Sequence, residues 1–140
     1  MLKIHPAVLE PLPVYPYHAR VYYHDTDAGG VVYHGRYLEF LEQGRTEFLR
    51  HMGYTNTQLQ KDHGILLTVR EYTVKHLKSA HLDDLLCIDT HIQAVRPASV
   101  WLTQHIRLAH APDTVTVHGG RLRSGDLGEE LEGIELLLPA

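Results

Sequence analysis

Cysteine is almost missing from this chain: Cys87 is the single one in 140 residues, which excludes an internal disulfide and fits a reducing compartment. Nothing approaches the roughly 20 consecutive apolar residues that a membrane-spanning helix requires, so no membrane insertion is expected. The N-terminal stretch lacks the apolar core of a secretion signal, and a cytoplasmic location is the expectation. Charge of one sign is also lacking, with 13 basic residues against 17 acidic ones for a net charge of −4. No basic run is long enough to track a phosphate backbone, which argues against a nucleic-acid partner.

Histidine is what the chain has in excess. Twelve are scattered from His5 to His118, but no His-x-x-x-His pair falls on the predicted helix and no cysteine cluster accompanies them. Neither a metal nor any other cofactor is expected on that pattern, and most of these histidines read as surface or hydrogen-bonded polar residues. The length suits one domain, which at this size buries about 68 to 70% of the surface its unfolded chain exposes.

Four of the seven prolines, Pro6, Pro11, Pro13 and Pro16, lie in residues 1–16, which predicts an extended arm and leaves 17–140 as a single domain. Tyr17 to His24 has β-branched and aromatic character and is predicted as a first strand. Asp25-Thr26-Asp27-Ala28-Gly29-Gly30 then sets two carboxylates just before a Gly-Gly bend. From His34 to Met52, Tyr37, Leu38, Leu41, Gly44, Phe48, Leu49 and Met52 recur at steps of three and four, one face of an amphipathic helix. Arg50 and His51 suit its last turn and Gly53 its stop, while Gly35 and Gly44 suggest close approach by another backbone.

After a polar connector, Gly64 to Lys78 reads as one long strand. Leu85 to Arg96 alternates, with Leu86, Ile88, Thr90, Ile92 and Ala94 facing one way. Beyond Pro97-Ala98, Val100, Leu102, Gln104, Ile106 and Leu108 form the apolar face of a partner strand, so the two make a hairpin. Ala111-Pro112-Asp113 is predicted as a turn, Thr114 to Arg123 as a strand with a bulge at Gly119-Gly120, and Ile134 to Leu138 as a last short strand. The order implies an α+β domain with one principal helix covered by a single, mainly antiparallel sheet.

An acid beside a helix mouth is a plausible reaction centre. The first N–H groups of a helix have no partners inside it, and the dipole there contributes about 0.3 to 1 kcal/mol to holding an anion. An aspartate with an ordinary pKa of about 3.9 is ionised at neutral pH and can attack a carbonyl or activate a water. Asp25 and Asp27 equally suit a tight turn on local chemistry alone. Cys87 is not proposed as a nucleophile.

The run Val21-Tyr22-Tyr23-His24-Asp25-Thr26-Asp27-Ala28-Gly29-Gly30-Val31-Val32-Tyr33-His34, with Tyr37-Leu38-Glu39-Phe40-Leu41-Glu42 and Arg45-Thr46-Glu47-Phe48-Leu49-Arg50 after it, closely resembles the YbgC-like, Tol-Pal-associated acyl-CoA thioesterases. These belong to the wider 4-hydroxybenzoyl-CoA thioesterase family. The resemblance covers roughly residues 17 to 109. It implies the hotdog fold, a long helix wrapped by a curved sheet of about five strands, in dimers joined edge to edge and often in tetramers. It puts the catalytic carboxylate on Asp27 and the oxyanion-binding backbone N–H on His34. Gly30, Val31 and Tyr33 in the matched run, and Ser99, are the implied substrate-binding positions, with Arg70 and Arg96 as further candidates for the CoA phosphates. The implied partners are an acyl-CoA substrate and, as an alternative acyl donor, an acyl carrier protein. The departures are His24 where close relatives carry Glu, the longer arm, and the tail after Thr114. A hotdog hydratase or dehydratase, and an acyl-thioester binding module without turnover, are the competing readings.

Overall fold

The computed structural model describes residues 15–72, 74–96, 99–119, 122–124, 129–131 and 134–137. Helix α1 spans Arg36–His51 and stops as its sequence requires. Gly53 takes φ 96°, its N–H donates to the Arg50 carbonyl at 3.0 Å, and the Tyr54 N–H donates to Leu49 at 2.9 Å. That pair of bonds is a Schellman closure, which satisfies carbonyls the helix leaves open. Tyr37, Phe40, Leu41, Gly44, Arg45 and Phe48 are buried. The stripe is thus turned from the expected one: Leu38 is 40% exposed, and Phe40 and Arg45 are inside in its place.

The strands are β1 (Tyr17–Arg20), β2 (Thr68–Tyr72), β3 (Val74–His76), β4 (Leu85–Arg96), β5 (Ser99–Leu108), β6 (Ala111–Gly119), β7 (Leu122–Ser124), β8 (Glu129–Leu131) and β9 (Ile134–Leu137). Seven of them form one antiparallel sheet in the order β1-β4-β5-β6-β3, with β9 bonded to both β5 and β2. Strand β5 pairs with β9 over Ser99–Leu102 and with β6 over Gln104–Leu108. The sheet is therefore about five ribbons wide, because β6 with β9 and β3 with β2 each continue one ribbon. The excursion between β6 and β9 carries the separate β7–β8 pair.

Several expectations are corrected. The first strand ends at Arg20, and a 3-10 turn covers Tyr23–Asp25, because the Asp25 carboxylate takes the Tyr22 N–H at 2.9 Å. The single strand expected over 64–78 starts at Thr68 and divides into β2 and β3, which pair with different partners. The turn expected at Ala111-Pro112-Asp113 falls at Ala109–His110, so Ala111 already lies in β6. The polar connector holds a second helix, α2 (Asn56–His63). Its Thr55 and Gln58 form a capping box and Gly64 a left-handed C-cap, signals legible in sequence, but Leu59 is its sole buried residue, so it shows no apolar period. Of the proline-rich arm, residues 1–14 lie outside the described residues, as does Gly120 of the expected bulge; the Tyr15 ring stacks on His51 at 4.3 Å.

The β4–β5 hairpin holds, but its alternation only in part: Cys87, Trp101 and Thr103 on the opposite face are buried as well, and the pairing shifts register between Ile92 and Ala94. Leu86, Ile88, Thr90 and Ile92, with Val100, Leu102, Gln104 and Ile106, are buried, and the α1 face rests on them. Gly44 does mark a close approach, but to a side chain and not to another backbone: a β-carbon there would collide with Ile88 Cγ2 and lie 3.2 Å from Ile88 Cβ. At Gly35 the neighbour is instead the Tyr33 ring, 2.7 Å from such a carbon. Among the described residues no helix is long and apolar enough to cross a membrane. Cys87 is buried and free, and burial, then the Asp89 charge, push its thiol above the usual range, which keeps it protonated and inert.

Gly44→Ala gains about 1 kcal/mol of helix propensity, but overpacking a core costs about 1 to 3 kcal/mol. The clash is with a methyl held on the branch point of a β-branched side chain, which has little freedom to turn away, so the cost wins. A urea midpoint lower than wild type is expected, and a higher one would show that the helix can lift off the sheet freely.

Candidate active site

Residues between β1 and α1 fold into a small stitched loop. Thr26 bridges to Val32, the Asp27 N–H donates to the Val31 carbonyl at 2.9 Å, and the Gly30 N–H donates to the Asp27 carbonyl at 3.0 Å. Gly30 closes this turn at φ 78°, a conformation that a β-carbon would strain. The Asp27 carboxylate accepts the Gly29 N–H at 2.8 Å, the local bond that makes Asp a turn former. The loop is fastened to the strand-to-strand connection after β3: Val31 bridges to His81, and the Val32 N–H donates to the Ala80 carbonyl at 2.9 Å.

The two acids of the loop are placed differently. Asp25 is 2% exposed, and its carboxylate takes the Tyr22 N–H on one oxygen and the Arg36 guanidinium on the other, at 2.8 Å from Nε and 2.6 Å from Nη2. It is more than the turn residue its sequence suggested. Asp27 is exposed and faces a cleft of about 400 Å³ together with Val31, His34, Tyr37, His76 and Lys78. The helix mouth opens beside it. Gly35 is the N-cap of α1 and provides no side-chain bond, and among the described residues the N–H groups of His34 and Gly35 meet no backbone acceptor.

The His34 ring leans on Tyr33 with centroids 4.4 Å apart and stands edge-on to His76 at 6.4 Å. Tyr37, 3% exposed, closes the floor; its hydroxyl accepts the Ala80 N–H at 3.0 Å. Burial, and behind it the Asp84 charge, raise the Tyr37 pKa against the opposing Ala80 bond, so the phenol stays neutral and serves as an acceptor.

Of the residues singled out from sequence, Asp27, Val31 and His34 meet at one cleft. Gly30 shapes the turn without lining that cleft, and Tyr33, 47% exposed, packs over Gly35 and His34 from outside it. Ser99 begins β5 opposite Arg96, but its side chain, like those of Arg70 and Arg96, lies outside the described residues. His76, Lys78 and Tyr37 were not foreseen as site residues. No spacing rule links positions 76–78 to the loop, because the link is the pairing of Val31 and Val32 with residues 80–81. Among the described residues no group of three His, Cys, Asp or Glu side chains could hold a metal ion. A larger groove of about 550 Å³ runs along α1 toward the connector after α2, past Leu38, Glu42, Arg45, Thr46, Leu49 and Leu66, and carries neither acid of the loop.

Comparison with known proteins gives a consistent set of likenesses. A model of the thioesterase superfamily matches residues 29–110. The acyl-CoA thioesterase YbgC of Haemophilus influenzae is 42% identical over 87 residues, 62% of this chain and 64% of that protein, just under two thirds of its length. The acyl-CoA thioester hydrolase YbgC of Escherichia coli O6:H1 is 45% identical over 96 residues, 69% of each chain. Among solved structures, a probable thioesterase from Bartonella henselae superposes with a TM-score of 0.76 at 33% identity, covering 91% of this chain and 92% of that one.

The floor of the cleft yields a stability test. Tyr37→Phe removes the acceptor of the Ala80 N–H, which is fully buried, and an orphaned buried donor costs about 1 to 3 kcal/mol. A lower denaturation midpoint with an unchanged m-value is expected; an unchanged midpoint would mean that water reaches Ala80.

Proposed function

The chain belongs to the thioesterase superfamily, of hotdog fold, and from that footing we propose that it hydrolyses acyl-CoA thioesters to free acid and CoA at the cleft between Asp27 and the mouth of α1. The observation that carries this reading is the placing of one exposed carboxylate, Asp27, on the same cleft as His34, whose N–H meets no backbone acceptor among the described residues. A thioester needs an oxygen nucleophile at its carbonyl carbon and a place for the negative charge that moves onto the carbonyl oxygen.

Asp27 supplies the first in one of two ways. As nucleophile, its oxygen bonds to the acyl carbon, the tetrahedral oxyanion collapses with departure of the CoA thiolate, and water then hydrolyses the mixed anhydride. As general base, it takes a proton from a water that attacks the carbonyl directly. The His34 N–H receives the oxyanion in both routes, aided by the α1 dipole. Losing one such donor typically raises a barrier by about 2.7 to 4 kcal/mol. Because the donor is backbone, the His34 side chain is free for another task, and its position over the cleft suits holding the substrate. Val31 flanks the acyl thioester, with Gly30 and Tyr33 shaping the loop around it and Ser99 as a further contact. Neither metal nor cofactor enters this scheme.

The same reading makes residues 17–140 the thioesterase domain, in the cytoplasm, with acyl carrier protein as an alternative acyl donor. It also makes the protein a homodimer or homotetramer. Strand β1 and the β2–β3 ribbon are the sheet edges among the described residues, and open edges invite pairing with a second copy.

Asp27→Asn is expected to cut thiol release by about 10² to 10⁴-fold with little change in thermal stability, since the side chain makes one local hydrogen bond. A panel of straight-chain acyl-CoAs and benzoyl-CoA, followed by free thiol, measures this. Full activity in the folded variant would sink the mechanism. Hydration of an enoyl-CoA without thiol release would point to the hydratase reading, and tight acyl-CoA binding with no turnover at all to the binding module. Light scattering should show a dimer or tetramer at working concentration; a monomer would remove the edge-pairing part of the proposal.

A further inference from the structure

We propose that Arg36 is a positioning residue for catalysis, its guanidinium clamping the buried Asp25 carboxylate so that the loop carrying Asp27 is held against the N–H groups at the mouth of α1. The inference rests on the thioesterase reading above. Asp25 and Arg36 stand at the two ends of the segment that contains both Asp27 and His34, and neither lines the cleft. What they control is where its walls stand.

The carboxylate of Asp25 is 3% exposed, and a buried charge is kept only when it is paired and hydrogen-bonded. One oxygen receives Arg36 Nε and Nη2, with His24 Nε2 at 3.2 Å from the same atom, and the other receives the Tyr22 N–H. The main chain repeats the tie, because the Tyr33 N–H donates to the Asp25 carbonyl at 2.9 Å. A single side chain thus binds the turn before Asp27 to the first residue of the helix. The guanidinium is itself fixed from other sides: Nη1 is hydrogen-bonded to Glu39, and its carbon lies 5.7 Å from the centre of the Phe40 ring. Asp27 has no such anchor. Among the described residues its side chain accepts a bond only from Gly29, within the same turn.

If the clamp is released, the segment that carries Asp27 and His34 loses its side-chain tie to the first residue of α1, and the carboxylate and the His34 N–H no longer keep their relative placement. Reaction at a carbonyl tolerates little of that, since a misplacement of about 1 Å costs about 100-fold in rate. Lysine cannot replace the two-nitrogen contact, because an ammonium is a point donor with no fork.

The test compares wild type with Arg36→Met, Arg36→Lys, Asp25→Asn and the Asp25→Asn/Arg36→Met double variant, using the acyl-CoA of the panel that wild type turns over fastest. Rates are normalised to folded protein by circular dichroism. Arg36→Met should lower kcat by about 10 to 100-fold and leave KM within about threefold, with Arg36→Lys between it and wild type. The double variant should be no slower than Arg36→Met, the non-additivity of two groups acting as one. A purely structural role would reduce the folded fraction and leave kcat per folded molecule intact. Amide hydrogen exchange supplies a second readout: residues 27–33, whose N–H groups at 27, 29, 30, 32 and 33 are hydrogen-bonded, should exchange faster in Arg36→Met while residues 41–48 stay protected. Wild-type kcat together with wild-type loop protection would overturn the proposal. Should Arg36→Met fail to fold, the same two readouts in Arg36→Lys decide it. If wild type releases no thiol, the thioesterase reading fails, and loop exchange alone still decides whether the clamp holds the loop.

Discussion

At Gly44 helix α1 rests directly on Ile88 of β4, with no β-carbon to hold the two apart, and the depth set there is what the rest of the molecule is referred to. One step further along the contact, Gln104 of β5 is fully buried. Its Nε2 donates to the Leu41 carbonyl at 3.0 Å and to Thr90 Oγ1 at 2.9 Å, and its Oε1 accepts from Arg45 Nη1 at 3.2 Å. A helix that slid or rotated would strand these groups in an apolar core, where an unmet polar atom costs more than a met one contributes. Close packing therefore sets the distance between helix and sheet, and the Gln104 junction sets the register.

With α1 fixed in depth and register, its N-terminus is fixed too, and the loop before it divides the work between two aspartates two residues apart. Asp25 turns inward and spends its charge on Arg36 and the Tyr22 N–H. Asp27 turns outward and keeps most of its hydrogen-bonding capacity for the cleft. Burial decides between the roles: a carboxylate saturated by a guanidinium and sealed from solvent is a structural tie, while one that is exposed beside unpaired N–H groups is available for chemistry. The connection through Ala80 and His81 completes the arrangement, since it brings His76 and Lys78 to the opening that Tyr37 of α1 floors.

Much of the fold was legible in the chain. The 3.6-residue period announced α1, Gly53 announced its end, and the alternation from Leu85 to Leu108 announced the central hairpin with its buried face. The glycine at 44 was readable as a close contact because glycine is costly in a helix interior unless something needs the space. Less legible were the places where local pattern and tertiary pairing part company. Helix α2 lacks an apolar stripe because it buries Leu59 alone. The stretch from 64 to 78 looks continuous, yet its two halves are bonded to β9 and β6, partners that lie far away in sequence. The apolar stripe of α1 was misjudged by about one position, because Arg45 goes inside to meet Gln104 and no propensity scale anticipates a buried arginine.

For the site, the D-T-D-A-G-G-V-V-Y-H run by itself determined the two carboxylates, the bend and the helix start that follows, since these depend on neighbouring residues whose spacing the chain spells out. Which carboxylate is sealed and which is open was decided only in three dimensions, by a guanidinium that reaches back from the first residue of the helix. The far wall of the cleft was decided there as well, because His76 and Lys78 arrive through backbone hydrogen bonds, and backbone bonds between distant segments leave no mark on the identity of the side chains they bring together.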